Sequence, residues 1–156
     1  MGNSLDQFDQ AILRLLQEDA DLPLNAIADK VHLSRNACWR RIKRLEDDGI
    51  IRGRVALLDP HKVNLGLKVL MAVRTDRHTP EWLENFHTVV SGIPEITEVL
   101  RISGNTDYLL IAVVPDMRAF DQLYRRLTAR VELADVSSSF VMEEIKSTTA
   151  LPLSYA

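Results

Sequence analysis

Positively charged side chains cluster in one short stretch of this 156-residue chain. Positions 35–44 contain no acidic residue and hold five basic ones: Arg35, Arg40, Arg41, Lys43 and Arg44. Arginine can bond bidentately to guanine in the major groove of DNA, asparagine such as Asn36 can do so to adenine, and lysine neutralises phosphates. These residue types therefore favour recognition of duplex DNA. The alternative is an ordinary solvated helix face.

The basic cluster is local, because the chain as a whole has a net charge of -3. Residues 1–29 hold six acidic groups and one basic group, whereas residues 30–54 hold eight basic groups and three acidic ones. Net charge governs solubility, but clustered charge sets the electrostatic field at one surface. The distribution indicates an anionic partner for one part of the chain.

Three short helices are predicted to position the basic residues. Apolar residues recur at helical spacing over residues 5–18 and again over residues 24–31. Ser34 is a suitable N-cap for a third helix, which Gly49 ends. Three helices with a tight turn before the last are typical of a helix-turn-helix.

The third helix has two chemically different sides. At 100° per residue, its apolar side contains Cys38, Ile42 and Leu45, and its opposite stripe contains Asn36, Arg40 and Lys43. The residues that we expect to contact DNA are Ser34, Arg35, Asn36, Trp39, Arg40, Lys43 and Arg44. Arg41 is nearer the apolar side, so we expect it to pair with a carboxylate. Trp39 either packs on sugar and phosphate or shields the core.

The remainder of the chain predicts a second, α+β domain. Strand patterns cover residues 67–73, 93–102, 108–114 and 136–142, and helical patterns follow Pro80 and cover residues 117–131, with a hairpin turn at Gly104-Asn105. The order βαββαβ is that of a ferredoxin-like fold. Its helices cover one face of the sheet, yet residues 67–73 and 108–114 are apolar on both faces. We therefore expect a second copy of the chain to cover the other face.

The whole sequence resembles the Lrp/AsnC family of bacterial transcription regulators. Residues at that family's recurrent positions are Ser34, Arg41, Ile42, Leu45, Glu46, Gly49 and Ile51. The later stretches RVALLDPHKVNLGL, SGNTDY and IKSTTALPL continue the similarity to the C-terminus. The resemblance implies a winged-type helix-turn-helix at residues 1–50, a hinge strand and linker at 51–66, and a RAM (ACT-like) effector-binding and oligomerisation domain at 67–156.

The resemblance also implies a small amino-acid effector, bound between RAM domains of a dimer that assembles further into tetramers or octamers. The matching residues, with hydroxyl, amide, charged or bare backbone groups, are Arg101, Ser103, Gly104, Asn105, Thr106, Asp107, Ser137, Ser138 and Ser139. Such groups suit the ammonium and carboxylate of a zwitterion. The alternative is a polar hairpin tip with an Asp-capped turn. Similarity to cysteine-responsive members makes cysteine a candidate effector, for which Cys38 is no evidence.

Other functional classes find less support in the sequence. We find no nucleophile elbow, phosphate-binding glycine loop or zinc motif, and the four histidines lack ligand spacing, so we expect neither an enzyme nor a metal or other cofactor. One cysteine, no long apolar run and no secretory start indicate a cytoplasmic protein without a membrane partner. The start MGNS resembles a myristoylation site, but no second membrane signal follows. An alternative function is an ACT-like regulatory subunit that acts on a partner protein without binding DNA.

Overall fold

The computed structural model describes residues 5–156, which form two compact units. The first extends to Ala56 and includes Lys146–Ala156, and the second is Leu57–Ile145. The start resembling a myristoylation site lies outside the described residues. The predicted domain limits stay a prediction. Residues 146–156, which the sequence assigns to the C-terminal domain, pack with the first unit.

The first unit contains the three predicted helices. They are α1 (Gln7–Glu18), α2 (Leu24–Lys30) and α3 (Arg35–Asp47). The Asp6 carboxylate caps α1 by accepting hydrogen bonds from the backbone N–H groups of Phe8 and Asp9, and Ser34 Oγ caps α3 by accepting from the Ala37 N–H. These side chains satisfy N–H groups that have no partner within a helix.

The apolar sides of the three helices meet in one core. Its buried members are Ile12, Leu13, Ile27, Ala28, Val31, Cys38, Ile42 and Leu45. Burial raises the pKa of the Cys38 thiol, which acts as a small apolar group in this core. The turn between α2 and α3 holds His32 in a left-handed conformation (φ 55°), and Gly49 (φ 72°) follows α3. The core therefore fixes which side of α3 remains at the surface.

The C-terminal tail returns to α1. Gln17 Oε1 accepts a hydrogen bond from the Leu151 N–H at 2.6 Å, and Gln17 Nε2 donates to the Leu151 carbonyl at 3.2 Å. Gln10 Nε2 donates to the Ala156 carbonyl at 3.1 Å, and Leu153 packs against the helical core. These contacts explain why the tail belongs to the first unit.

The predicted hinge strand is absent from the single chain. Residues 52–59 form neither helix nor strand, and a short 3₁₀ turn follows at His61–Val63. Val55, Leu57 and Leu58 are more than two-thirds exposed. A strand needs a neighbour to satisfy its backbone groups. Within the described residues this segment has none.

The second unit confirms the predicted βαββαβ order. Its elements are β1 (Leu67–Arg74), α4 (Pro80–Ser91), β2 (Ile96–Arg101), β3 (Tyr108–Val114), α5 (Met117–Thr128) and β4 (Asp135–Phe140). All strand pairs are antiparallel, in the order β2-β3-β1-β4. β2 is shorter than the predicted 93–102, because Ile93 is buried in the turn after α4. β4 ends before Met142, which is exposed.

The two faces of this sheet differ in burial. Val69, Met71 and Val73 of β1, like alternate residues of β3, are buried against α4 and α5. The residues between them remain partly exposed on the opposite face, namely Leu70, Ala72, Leu109, Ile111 and Val113. The alternation places an apolar surface on the face that carries no helix.

None of the helices in residues 5–156 is long and apolar enough to cross a membrane.

Candidate functional site

The surface side of α3 carries the predicted stripe. Asn36, Arg40 and Lys43 are all exposed, as is Arg35 in the first turn. Arg35 and Arg40 form no ion pair with any described residue. Their guanidinium groups therefore keep their N–H donors for an external acceptor.

Ser34 and Lys43 already have partners on α3. Ser34 Oγ accepts a hydrogen bond from the Ala37 N–H at 3.2 Å, so Ser34 orients the start of the helix. Lys43 Nζ lies 2.9 Å from Asp47 Oδ1, and this hydrogen bond and the charge of Asp47 raise the pKa of Lys43. The side chains of Lys43 and Asp47 are both more than half exposed. Such surface pairs are weak and exchange readily for another anion.

Arg41 forms the carboxylate pair predicted from its position. Its Nη1 lies 2.7 Å from Asp6 Oδ2 and 2.8 Å from Asp9 Oδ1, and its guanidinium carbon lies 5.3 Å from the centre of the Phe8 ring. The hydrogen bond to Asp9, which has the largest effect, and the one to Asp6 raise the pKa of Arg41. The hydrogen bond that the Asp6 carboxylate accepts from the Asp9 backbone N–H lowers the pKa of Asp6, as does the Arg41 guanidinium, although partial burial acts in the opposite direction. Arg41 thus ties α3 to α1.

Arg44 is placed differently from the expectation of a free DNA contact. Its Nη2 lies 2.5 Å from Asp9 Oδ2, and Asp9 itself is only 1% exposed. The Arg44 side chain remains about half exposed. At least one of its N–H donors is therefore engaged within the protein.

Trp39 is 55% exposed and is one of the residues that line a surface groove of the first unit. The groove is also lined by Leu24 and Ile42, so the indole lies beside the core as well as the surface. Both roles considered for Trp39 remain compatible with this position. Arg54, beyond the helix, forms an ion pair with Glu46 at 2.9 Å.

The second candidate site is the hairpin between β2 and β3. Ile102 donates its N–H to the Asp107 carbonyl at 3.0 Å, and Gly104 has φ 115°, which confirms the predicted turn. Arg101, Ser103, Gly104 and Asn105 are exposed, and Thr106 is partly buried. A left-handed φ of this kind favours glycine.

Asp107 braces this hairpin. Its Oδ2 accepts a hydrogen bond from the Thr75 N–H at 2.9 Å, and its own N–H donates to the Val73 carbonyl at 3.0 Å. Thr75 is buried. The Asp107 carboxylate can either contact the effector or brace the hairpin. The hydrogen bond from Thr75 supports the bracing role.

The three serines of β4 do not share one face. Ser137 pairs with Ala72 and Ser139 with Leu70, so both lie on the face without helices. Ser138 pairs with Met71, whose side chain is buried against the helices. Successive residues of a strand point to opposite faces. Ser138 therefore points towards the helix side of the sheet, and the effector contacts expected of the three serines stay a prediction.

Comparison with known proteins decides the family. Residues 68–151 match the model described as the Lrp/AsnC ligand binding domain, and residues 5–52 match winged helix-turn-helix DNA-binding. The chain belongs to the Lrp/AsnC family. It is 49% identical over 150 residues to the DNA-binding transcriptional activator DecR of Escherichia coli K12, covering 96% of this chain and 99% of that protein. It is thus a DNA-binding transcriptional regulator with a separate ligand-binding domain.

Solved structures of Lrp/AsnC proteins have the same fold. A crystal structure of an AsnC family transcriptional regulator from Agrobacterium tumefaciens has a TM-score of 0.93 and 54% identity, covering 96% of this chain and 98% of that one. The transcriptional regulator NMB0573 from Neisseria meningitidis, in complex with L-Met, has a TM-score of 0.92 and 41% identity, covering 97% and 98%. The α+β class, with a winged helix-turn-helix and a RAM domain, is confirmed.

Sequence reasoning did not find the roles of Asp9, Gln10 and Gln17 in this Lrp/AsnC chain. Asp9 lies on the α1 side that faces α3, one turn before Ile12 and Leu13 of the core. A carboxylate among apolar helix positions is the signal that could have identified it, because buried charges require partners. The two glutamines carry no comparable signal, since their partners are backbone groups of the tail.

Proposed function

We propose that α3 enters the major groove of an operator, with Asn36 and Arg40 contacting base edges and Ser34, Arg35, Trp39, Lys43 and Arg44 contacting the backbone. The observation that carries this proposal is the exposed stripe of Asn36, Arg40 and Lys43 on a helix whose other side is fixed by the core. The start of a recognition helix is also where base contacts occur in such motifs.

This proposal is tested with a duplex enriched from a random-sequence pool by the wild-type protein. Arg40→Ala or Asn36→Ala should cost roughly 1–3 kcal/mol at that duplex and relax preference at one position, because a bidentate contact is lost. Lys43→Ala should weaken binding to enriched and scrambled duplexes alike. Titrations at several salt concentrations measure both effects. Unchanged affinity after replacing both Arg40 and Lys43 would remove α3 from the interface.

We further propose that a small amino acid binds at the hairpin, using Arg101, Ser103, Gly104, Asn105 and Thr106. Ser137 and Ser139 lie on the face without helices and supply hydroxyls beside apolar Leu70 and Ala72. Asp107 holds the hairpin in shape. Polar groups for a zwitterion next to apolar surface suit an effector with an apolar or sulfur-containing side chain. The methionine bound to the Neisseria relative supports this class, and cysteine remains a candidate.

Thermal-shift screening against the twenty amino acids tests the effector. A ligand present at 100 times its Kd stabilises the folded protein by about 2.7 kcal/mol, so a true effector should raise the midpoint measurably. Binding of effector and operator should also be reciprocally coupled, which calorimetry with and without duplex would detect. Absence of any shift across the set would contradict an amino-acid effector.

The proposed role is regulatory and not catalytic. Residues 5–156 contain no group of three or more His, Cys, Asp or Glu side chains arranged to hold a metal ion. We propose action in the cytoplasm, where the operator would be, as a homodimer or a larger oligomer. The alternative, an ACT-like subunit acting on a protein partner, has no use for the exposed stripe, and salt-sensitive retention on DNA separates the two.

A further inference from the structure

Asp9 is the only charged residue among those fully buried in residues 5–156. It projects from α1 towards α3, where Oδ1 accepts from Arg41 Nη1 at 2.8 Å and Oδ2 accepts from Arg44 Nη2 at 2.5 Å. Its bond to the Asp6 N–H, which completes the cap of α1, is longer at 3.3 Å. The short contacts therefore join two helices, and the long one is local.

A buried carboxylate costs desolvation energy unless its oxygens are fully bonded. Each oxygen of Asp9 is bonded to a guanidinium group, and the two arginines occupy successive turns on the same side of α3. Two anchor points on one rigid helix restrict its rotation about its own axis, which one contact does not. That rotation determines where Asn36 and Arg40 point. The contacts of Asp9 with Arg41 and Arg44 therefore orient the exposed side of α3, although they lie on its opposite side.

The two arginines differ in exposure. The Arg41 side chain is 28% exposed and also contacts Asp6 and Phe8, so it is committed to the interior. The Arg44 side chain is 46% exposed, and within the described residues its only ion pair is with Asp9. A guanidinium has five N–H donors in a rigid plane. Arg44 can therefore hold Asp9 with one edge and present another edge to a phosphate.

We propose that Asp9 is a positioning residue for DNA recognition, which fixes the rotation of α3 and orients the Arg44 guanidinium so that its free edge meets the DNA backbone. This rests on the proposed function, in which α3 binds the major groove. It assigns Arg44 a bridging role between Asp9 and phosphate, which a simple surface cation cannot perform.

General electrostatics makes the opposite prediction for a change at Asp9. Removing a negative charge from a DNA-binding unit strengthens its attraction to phosphates. If Asp9 positions α3 and Arg44, its neutralisation should instead weaken binding to the enriched duplex. The sign of the effect separates positioning from net charge.

The experiment compares Asp9→Asn with Glu18→Gln, which removes one charge from an exposed position of the same helix. Affinity for the enriched and scrambled duplexes is measured at one salt concentration and at a temperature well below each variant's thermal midpoint. We expect Asp9→Asn to lose about tenfold at the enriched duplex, the scale of one lost charge-assisted hydrogen bond, and less at the scrambled one. Glu18→Gln should bind as well as wild type or slightly better. Equal behaviour of the two variants would overturn the proposal.

A second comparison tests whether Asp9 acts through Arg44. Combining Asp9→Asn with Arg44→Gln should weaken binding by clearly less than the sum of the two single losses, because the part of the Asp9 effect that passes through Arg44 is already lost in Arg44→Gln. Fully additive losses would show that Asp9 does not act through Arg44.

Arg44→Lys keeps the test decisive if Asp9→Asn does not fold. Lysine keeps the charge but lacks a planar fork that can bond two anions at once. We expect most of the affinity lost in Arg44→Gln to be lost in Arg44→Lys as well. Full rescue by lysine would reduce Arg44 to a plain phosphate contact and overturn the bridging role.

These outcomes are distinguishable from failure of the proposed function. If the wild type enriches no duplex, or if Arg40→Ala binds like wild type, the assignment of α3 to the groove fails. If Arg40→Ala weakens binding while Asp9→Asn does not, only the positioning role of Asp9 fails.

Discussion

The basic residues of α3 differ in their ion-pair partners. Arg35 and Arg40 have no ion-pair partner in the described chain, Lys43 has an exposed and exchangeable one, and Arg41 and Arg44 share a buried carboxylate. Exposed pairs contribute little energy, whereas a buried carboxylate depends on its partners. The acidic start of the chain is therefore partly a counter-charge for the back of α3.

A residue-scale prediction concerns Asp107. Asp107→Ala leaves the N–H of buried Thr75 without its acceptor, which should lower the stability of the second unit by about 1–3 kcal/mol. Asp107→Asn keeps an acceptor oxygen, so it should retain more of the thermal midpoint and also the ligand-induced shift. Calorimetry with and without the amino acid identified by screening measures both.

Asn105→Ala is the matched control, because Asn105 is exposed at the tip of the same hairpin. It should leave the midpoint of the ligand-free protein unchanged. If Asp107→Asn keeps the midpoint but loses the ligand shift, the carboxylate contacts the effector directly and the bracing role is insufficient.

The ends of individual helices are set by nearby residues in the sequence. The segments that pack against a helix are set by residues far away in the sequence. Ser34 starts α3 and Gly49 follows its end, as the sequence predicts. The face of α1 that receives the tail is instead defined by residues about 134 positions apart, Gln17 and Leu151. The tail therefore contributes to the stability of a unit that lies at the other end of the chain.

An element-scale prediction follows for the tail. Leu153→Ala removes a partly buried side chain from the helical core, and should destabilise the first unit by roughly 1–2 kcal/mol, below the range for full burial. Trp39 fluorescence in a Trp82→Phe background reports unfolding of that unit. Tyr155→Ala, at a 92% exposed position of the same tail, should have no effect. Equal midpoints for the two variants would show that the tail does not support the helices.

The whole molecule presents one apolar sheet face without helices. Leu110 is fully buried on the helix side of β3, whereas Ile111 lies on the open face, so the two positions test different packing. Exposed Val55, Leu57 and Leu58 in the segment before β1 add further unpartnered apolar surface. Pairing of two copies would cover the open face and give the hinge segment a neighbour for strand formation.

A prediction at this scale concerns Ile111→Asp. A charge cannot remain unpaired in an apolar interface, so this variant should dissociate the oligomer while the second unit stays folded. Leu110→Asp should unfold it instead. Gln122→Asp, exposed on α5, is the control and should keep the wild-type mass. Light scattering at micromolar concentration measures each mass, and a folded wild-type monomer would refute the pairing.

The sequence by itself determined the elements and their order. Periodicity and capping signals lie within a few residues of the structure that they specify, so β3 was predicted with its observed bounds and α3 with its N-cap. The exposed stripe followed from the same periodicity. The family resemblance then implied the hairpin as an effector site.

Only the tertiary structure decided which side chains meet across the chain. Arg44 pairs with Asp9, 35 positions earlier, and Asp107 with Thr75, 32 positions earlier. The register between β1 and β4 decided that Ser137 and Ser139 lie beside Ala72 and Leu70 on the face without helices. Local patterns define which side of an element is apolar, but partners separated by tens of residues are selected by packing and by the requirement to pair buried charges and backbone groups.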